Sequence, residues 1–193
     1  MTHIPLLPLH TVLFPGGTLP LRIFEARYID MVSECLHTGR GFGVCLIRRG
    51  SEVGAAAVSH EVGTLAMITD WDRRPDGLLG ITARGERRFR IRTRSVAANN
   101  LIHAGVEWFP NEPPAELIDT YEPTATLLRD IVEQLDLPYP PTSKLYRDAV
   151  WVGYRLAELL PVTPQEKQLL LEMNDAGQRL EQLQSFVTAL HLA

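Results

Sequence analysis

The chain has 193 residues, 45% of them hydrophobic and 22% charged, with a formal net charge of −4. This is the composition of an ordinary globular protein, and no segment is of low complexity. No apolar run approaches the roughly 18–20 residues of a membrane span, and no basic stretch followed by a long apolar one opens the chain, so neither a membrane segment nor a signal peptide is expected.

In chain order, the first half reads as short β runs punctuated by turn residues. Strands are predicted at residues 4–9, 19–23, 42–48, 63–71, 78–84, 87–96 and 103–109, with turns at Gly16-Gly17, Arg49-Gly50, Pro75-Asp76-Gly77 and Asn99-Asn100. Within 63–71 the residues Leu65, Ala66, Met67 and Ile68 are apolar in succession, which predicts burial on both faces for part of that strand. Many short strands at this spacing indicate an antiparallel barrel or sandwich. One helix interrupts them. Phe24, Tyr28, Met31, Val32, Cys35 and Leu36 recur at intervals of three and four, and Gly39 supplies a stop. Glu25 falls in its first turn, where the helix dipole favours a carboxylate, and Arg22 and Arg27 can reach Glu25 or nearby carbonyls. Cys35 and Cys45 lie in apolar surroundings and suit buried free thiols in a reducing, cytoplasmic compartment; the alternative is a disulfide between them.

The pattern changes at residues 110–114, where three prolines break the chain. Before the break thirteen arginines face ten acidic residues; after it six basic residues face thirteen acidic ones. The split predicts two units with different surfaces. The second half reads as four helices. The first, at about 123–135, buries Leu127, Leu128, Ile131, Val132 and Leu135; the second runs over about 146–160. Pro138, Pro140 and Pro141 mark the loop between them. Thr163-Pro164-Gln165-Glu166 is a helix start with Thr as N-cap, Pro at the first position and Glu three residues after the cap. Asp175 with Gln178 opens the last helix, which runs to about 190.

No catalytic constellation emerges. There is no GxxxxGK[ST] loop, no GxSxG elbow and no HExxH, and the six histidines are scattered, so no metal site or cofactor is expected. Ser143-Lys144 resembles a Ser/Lys dyad only by adjacency and reads as a solvated loop. The strongest charged feature is residues 84–94, six arginines against one glutamate. On a regular strand Arg88, Arg90, Arg92 and Arg94 share one face and Phe89 and Ile91 the other. That face reads as solvated and paired with acidic side chains; the alternative is contact with phosphates. Trp71, with Arg73 and Arg74, sits near a predicted hairpin tip and offers a protein contact or a cap on the β core. Trp108 and Phe109 precede the composition break and are expected to pack between the halves, whereas Trp151 reads as core.

Taken together, Leu7-Pro8-Leu9, the run 13–16 (LFPG) and the run 19–28 (LPLRIFEARY) resemble the N-terminal, substrate-binding domain of the Lon protease family. The likeness continues through 42–48, 62–66, Asp76-Gly77 and 85–91, and resumes at Glu166-Lys167-Gln168, Leu170-Leu171-Glu172, Asp175 and Arg179-Leu180. Its signature residues here are Phe14, Pro15, Gly16, Arg22, Phe24, Glu25, Arg27 and Tyr28. The resemblance implies an α+β chain: a PUA-like antiparallel β pseudo-barrel with one helix over residues 1–112, then a helical bundle over 113–193. In full-length Lon this domain recognises substrates and helps assembly, while separate ATPase and Ser/Lys protease domains do the chemistry. The likeness covers nearly the whole chain, which ends at Ala193, where those domains would begin, so a stand-alone bacterial form is expected. The expected function is a non-catalytic, cytoplasmic binding module for a polypeptide or protein partner. Candidate contact residues are Trp71, Arg73, Arg74, Arg88, Arg90, Arg92 and Trp108. Two alternatives are nucleic-acid binding through strand 84–94 and a small-molecule pocket between the halves.

Overall fold

A closed ring of five strands organises the N-terminal part of the computed structural model, which describes residues 2–139 and 144–191. The chain forms two compact units, Met1–Asn111 and Glu112–Ala193. The first contains β1 (Thr2–Leu9), β2 (Thr18–Ile23), α1 (Ala26–Thr38), β3 (Phe42–Arg49), β4 (Val58–Ser59), β5 (Val62–Arg73), β6 (Leu79–Val96) and β7 (Ile102–Trp108). Pairing runs β1–β7–β6–β5–β3 and closes from β3 back to β1. The closing pair is parallel, Leu6↔Gly43 through Leu9↔Leu46, whereas every other strand pair is antiparallel. A parallel pair needs a long crossover, and β2 with α1 supply it. β4 is two residues long, too short to leave a pattern in the sequence.

Residues 78–84 and 87–96, predicted as two strands, form one long β6 with a bulge. Thr64 faces Arg88 and Ala66 faces Gly85, so one residue of β5 opposes two of β6. At that bulge the turn after β1 docks: Gly16 N–H donates to the Gly85 carbonyl at 2.7 Å and Gly85 N–H to the Gly17 carbonyl at 2.8 Å. Thr64 seals the contact by donating its hydroxyl to the buried Leu13 carbonyl at 2.6 Å. Phe14, 1% exposed, is locked beneath it. The first half of β6 then pairs with β2 and the second half with β7. β2, β6 and the distal part of β5 therefore extend from the ring as a three-stranded arm.

Two apolar clusters follow from strand alternation. Ile4, Leu6, Cys45, Phe89, Ile91, Ile102, Ala104 and Val106 fill the ring. Phe89 occupies its middle and requires bare backbone around it, since a Cβ at Gly43 would stand 2.6 Å from the Phe89 ring. The opposite face of β1, with Leu7 and Leu9, joins Phe42, Val44, Ala66, Ile81 and Ala83 against α1. The helix turns Tyr28, Met31, Val32 and Cys35 inward and ends at Gly39, whose φ of 65° is the left-handed stop that favours glycine.

The second unit contains α2 (Glu122–Gln134), α3 (Ala149–Leu159), α4 (Pro164–Glu172) and α5 (Ala176–His191), with 3-10 turns at Asp119–Tyr121 and Leu145–Arg147. α3 starts later than predicted, because Asp148 caps it by accepting from Val150 N–H at 3.0 Å. α4 has the full capping box between Thr163 and Glu166, and Asp175 accepts from Gln178 N–H at the start of α5. Leu128 and Val132 of α2 are buried, but Leu135, read as core, is 60% exposed at the helix end. Two arginines sit inside the unit. Arg179 is fully buried, bonds Glu112 at 2.7 Å and the Met173 carbonyl at 2.9 Å, and lies 3.9 Å from the Tyr154 ring centroid. Arg155 is ion-paired with Glu158 at 2.7 Å. Pro140, Pro141 and Ser143 lie outside the described residues.

Candidate functional site

The predicted contact residues fall in three places in the first unit. Trp71, Arg73 and Arg74 are exposed at the tip of the β5–β6 arm. Cross-strand register puts Trp71 level with Ile81 and Leu21, so it prolongs the apolar row of the arm, yet it is 59% exposed and caps nothing. Arg22 steadies the arm through an ion pair with Asp76 in its turn. The Asp76 carboxyl lies below its ordinary range, chiefly because it accepts from Leu78 N–H and then because Arg22 is beside it.

The arginine strand is not the uniform solvated face that alternation predicts. The β5–β6 bulge and a second one at Arg92, between Ile91 and Thr93, interrupt the period of two. Arg88 is buried, 4% exposed, with its guanidinium 4.9 Å from the Phe109 ring centroid, and Arg90 stacks on the same ring at 5.5 Å. Arg92 donates to Glu107 at 2.7 Å; Arg94 donates to the Ser59 and His60 carbonyls; Arg87 donates to the Phe109 carbonyl at 2.7 Å. These arginines tie the sheet margin together. Arg90 and Arg92 do share a hollow of about 230 Å³ with Trp108 and Phe109.

Of the signature residues, Glu25, Arg27 and Tyr28 form a corner. Arg27 is buried, donates to Glu25 at 3.1 Å and to the Asn100 carbonyl at 2.9 Å, and stacks 4.5 Å from the Tyr28 ring. Glu25 is the N-cap residue of α1 rather than part of its first turn. Burial pushes the Tyr28 hydroxyl above its ordinary pKa. Phe24 is 54% exposed.

Trp108, together with residues not among the predicted contacts, lines a groove of about 990 Å³ in this unit. One wall is α1, through Asp30, Met31, Glu34, Cys35 and Thr38, continued by Arg40. The other is the start of β1 and the two ends of β7, through His3, Pro5, His103 and Trp108, with Leu65 and Leu101 adding apolar floor. The Trp108 indole N–H donates to the Thr2 hydroxyl at 3.3 Å, and its ring packs edge-on against Phe89, 6.1 Å between centroids. This volume is at the upper end for a ligand site, and its lining of apolar groups with a few polar ones fits such a role. The groove holds no activated nucleophile: burial and Glu34 push the Cys35 thiol up to about 11. Among the described residues no three His, Cys, Asp or Glu side chains are grouped to hold a metal ion, and no helix is long and apolar enough to cross a membrane.

Residues 3–189 match the family model described as the ATP-dependent protease La (LON) substrate-binding domain. The chain belongs to this family. It is 40% identical to a Lon N-terminal domain protein from Xanthomonas campestris of known crystal structure, with a TM-score of 0.81 over 96% of this chain and 98% of that one. The N-terminal domain of a Mycobacterium avium complex Lon protease shares the fold at 18% identity, with a TM-score of 0.68 over 97% of this chain and 98% of that one. Lon protease 2 of Myxococcus xanthus is 27% identical over 92% of this chain, which spans only 22% of that relative's length. The match is therefore to the substrate-binding part of Lon.

Proposed function

We propose that this Lon substrate-binding domain is a non-catalytic module that takes extended polypeptide segments in the groove between α1 and the β1–β7 margin. The observation that carries the reading is the groove itself: about 990 Å³, floored by Met31, Leu65, Leu101 and Trp108, in a chain whose family is defined by substrate binding. An extended segment can lay alternate side chains into such a floor while its backbone remains hydrated. The arm tip, with exposed Trp71 beside Arg73 and Arg74, offers a second contact on the same unit. The buried free thiols Cys35 and Cys45 suit a reducing, cytoplasmic site of action.

Fluorescence anisotropy of a labelled, permanently unfolded polypeptide tests the proposal. Saturable binding that His103→Trp abolishes, by filling the groove from β7, supports it; absence of binding, or binding indifferent to His103→Trp, overturns it. Nucleic-acid binding is separated in the same assay by labelled single-stranded RNA at low salt. A phosphate-driven interaction would weaken steeply with salt and be lost in the Arg90→Glu/Arg92→Glu variant.

A further inference from the structure

We propose that the groove selects segments by charge order: about four residues, apolar in the middle, with a Lys or Arg at the Asp30–Glu34 end and a carboxylate at the Arg40 end. The inference rests on the polypeptide-binding reading above and specifies its substrate class. Asp30 and Glu34 are one helical turn apart on the wall formed by α1, and Thr38 and Arg40 continue that wall. Neither carboxylate nor the Arg40 guanidinium is ion-paired among the described residues, whereas Arg27–Glu25 and Arg92–Glu107 of the same unit are. At 1.5 Å rise per residue the wall from Asp30 to Thr38 is about 12 Å long, the span of roughly four residues of extended chain at about 3.3 Å each. Besides these charged groups the groove is lined by the apolar side chains of Met31, Leu65, Leu101 and Trp108 and by His3 and His103. A neutral apolar segment would leave both ends without a partner. A segment of matching charge sets its cation against the exposed Asp30 and Glu34 carboxylates and its carboxylate against the exposed Arg40 guanidinium, so each end adds a modest, salt-screened attraction.

The test uses four labelled synthetic peptides with one apolar core and flanks that are basic, acidic, basic at one end and acidic at the other, or uncharged. Anisotropy titrations against the whole chain are expected to rank the doubly flanked peptide first, then the basic, the uncharged and the acidic one. Each matched end should contribute about twofold to fivefold in affinity, as for an exposed ion pair. Asp30→Lys/Glu34→Lys should invert the basic–acidic preference, and Arg40→Glu should remove the advantage of the doubly flanked peptide over the basic one. Asp30→Asn/Glu34→Gln, which preserves shape, should erase the advantage of the basic over the uncharged peptide and leave only the Arg40 preference for an acidic end; this also separates the groove from diffuse attraction to the acidic second unit. If His103→Trp abolishes binding of all four peptides but their affinities are equal, the groove reading stands and the charge order is wrong. If the ranking survives Asp30→Asn/Glu34→Gln, the selecting carboxylates lie elsewhere and the inference fails. If no peptide binds, the polypeptide reading fails with it.

Discussion

Replacing Arg27 by alanine should unfold the corner of the first unit rather than disable a ligand site. The side chain is 5% exposed and holds three partners: the Glu25 carboxylate, the Asn100 carbonyl and the Tyr28 ring. Asn100 has a φ of 65°, an uncommon conformation for a residue other than glycine, and the Arg27 bond helps hold that turn. Truncation leaves the carbonyl and a carboxylate short of donors in a partly buried place. Each lost hydrogen bond to a charged group accounts for about 1.5–3 kcal/mol, so the total is expected near 3 kcal/mol once water replaces part of the pairing at Glu25. Urea unfolding read by Trp71 and Trp108 fluorescence in a Trp151→Phe background isolates the first unit. A loss of about 3 kcal/mol moves the midpoint down by roughly 1–3 M at ordinary m-values for small domains. The reasoning is refuted if Arg27→Ala shifts the midpoint by less than the equivalent of about 0.5 kcal/mol, the usual scale of a neutral surface change, or if it stays stable and loses polypeptide binding.

In the second unit, Arg179→Met should cost about 3–5 kcal/mol by leaving Glu112 without its buried partner, and adding Glu112→Gln should recover part of it, as read by Trp151 fluorescence in denaturant. Burial pushes the Cys45 thiol up to about 12, and Cys35 reaches about 11, so neither should react with a thiol reagent at pH 8 until the chain unfolds, when both label. Glu166 lies below its ordinary pKa because the Thr163 hydroxyl and N–H donate to it. Its stabilising effect is complete above the ordinary carboxylate pKa and is lost as pH falls through the lowered value. Denaturation curves should therefore show the Thr163→Ala deficit narrowing as pH drops below about 4. Trp71→Ala should leave the midpoint of the first unit almost unchanged while weakening polypeptide binding; an unchanged affinity removes the arm tip from the contact surface.

Elements dominated by local signals were legible from residue order. The three–four spacing from Tyr28 to Cys35 marks α1, and Thr163-Pro164 with Glu166 marks the start of α4 down to its capping box. Strand positions follow from alternation and turns, but their pairing does not. The parallel β1–β3 seam joins residues about forty apart, and nothing near Leu6 or Gly43 announces it. Bulges were equally silent, which is why β6 reads as two strands and Arg88 as solvated. Buried Arg27, Arg88, Arg155 and Arg179 run against the rule that arginine stays outside; Arg27 and Arg179 meet partners distant in sequence, Arg88 stacks on Phe109, and Arg155 pairs within its own helix with Glu158. The groove escaped notice because its walls come from residues 2–5, 30–41, 65 and 101–108. Only the Asp30 and Glu34 spacing on α1, one turn apart beside Met31 and Cys35, was a local hint.

The most direct test is a 1H–15N NMR titration of the intact chain with an unfolded polypeptide, with amide assignments in hand. The account predicts shift changes concentrated at His3, Asp30, Glu34, Thr38, Arg40, Leu101, His103 and the Trp108 indole, with a smaller set at Trp71. Changes confined to residues 84–94, or to the helices of the second unit, would contradict it.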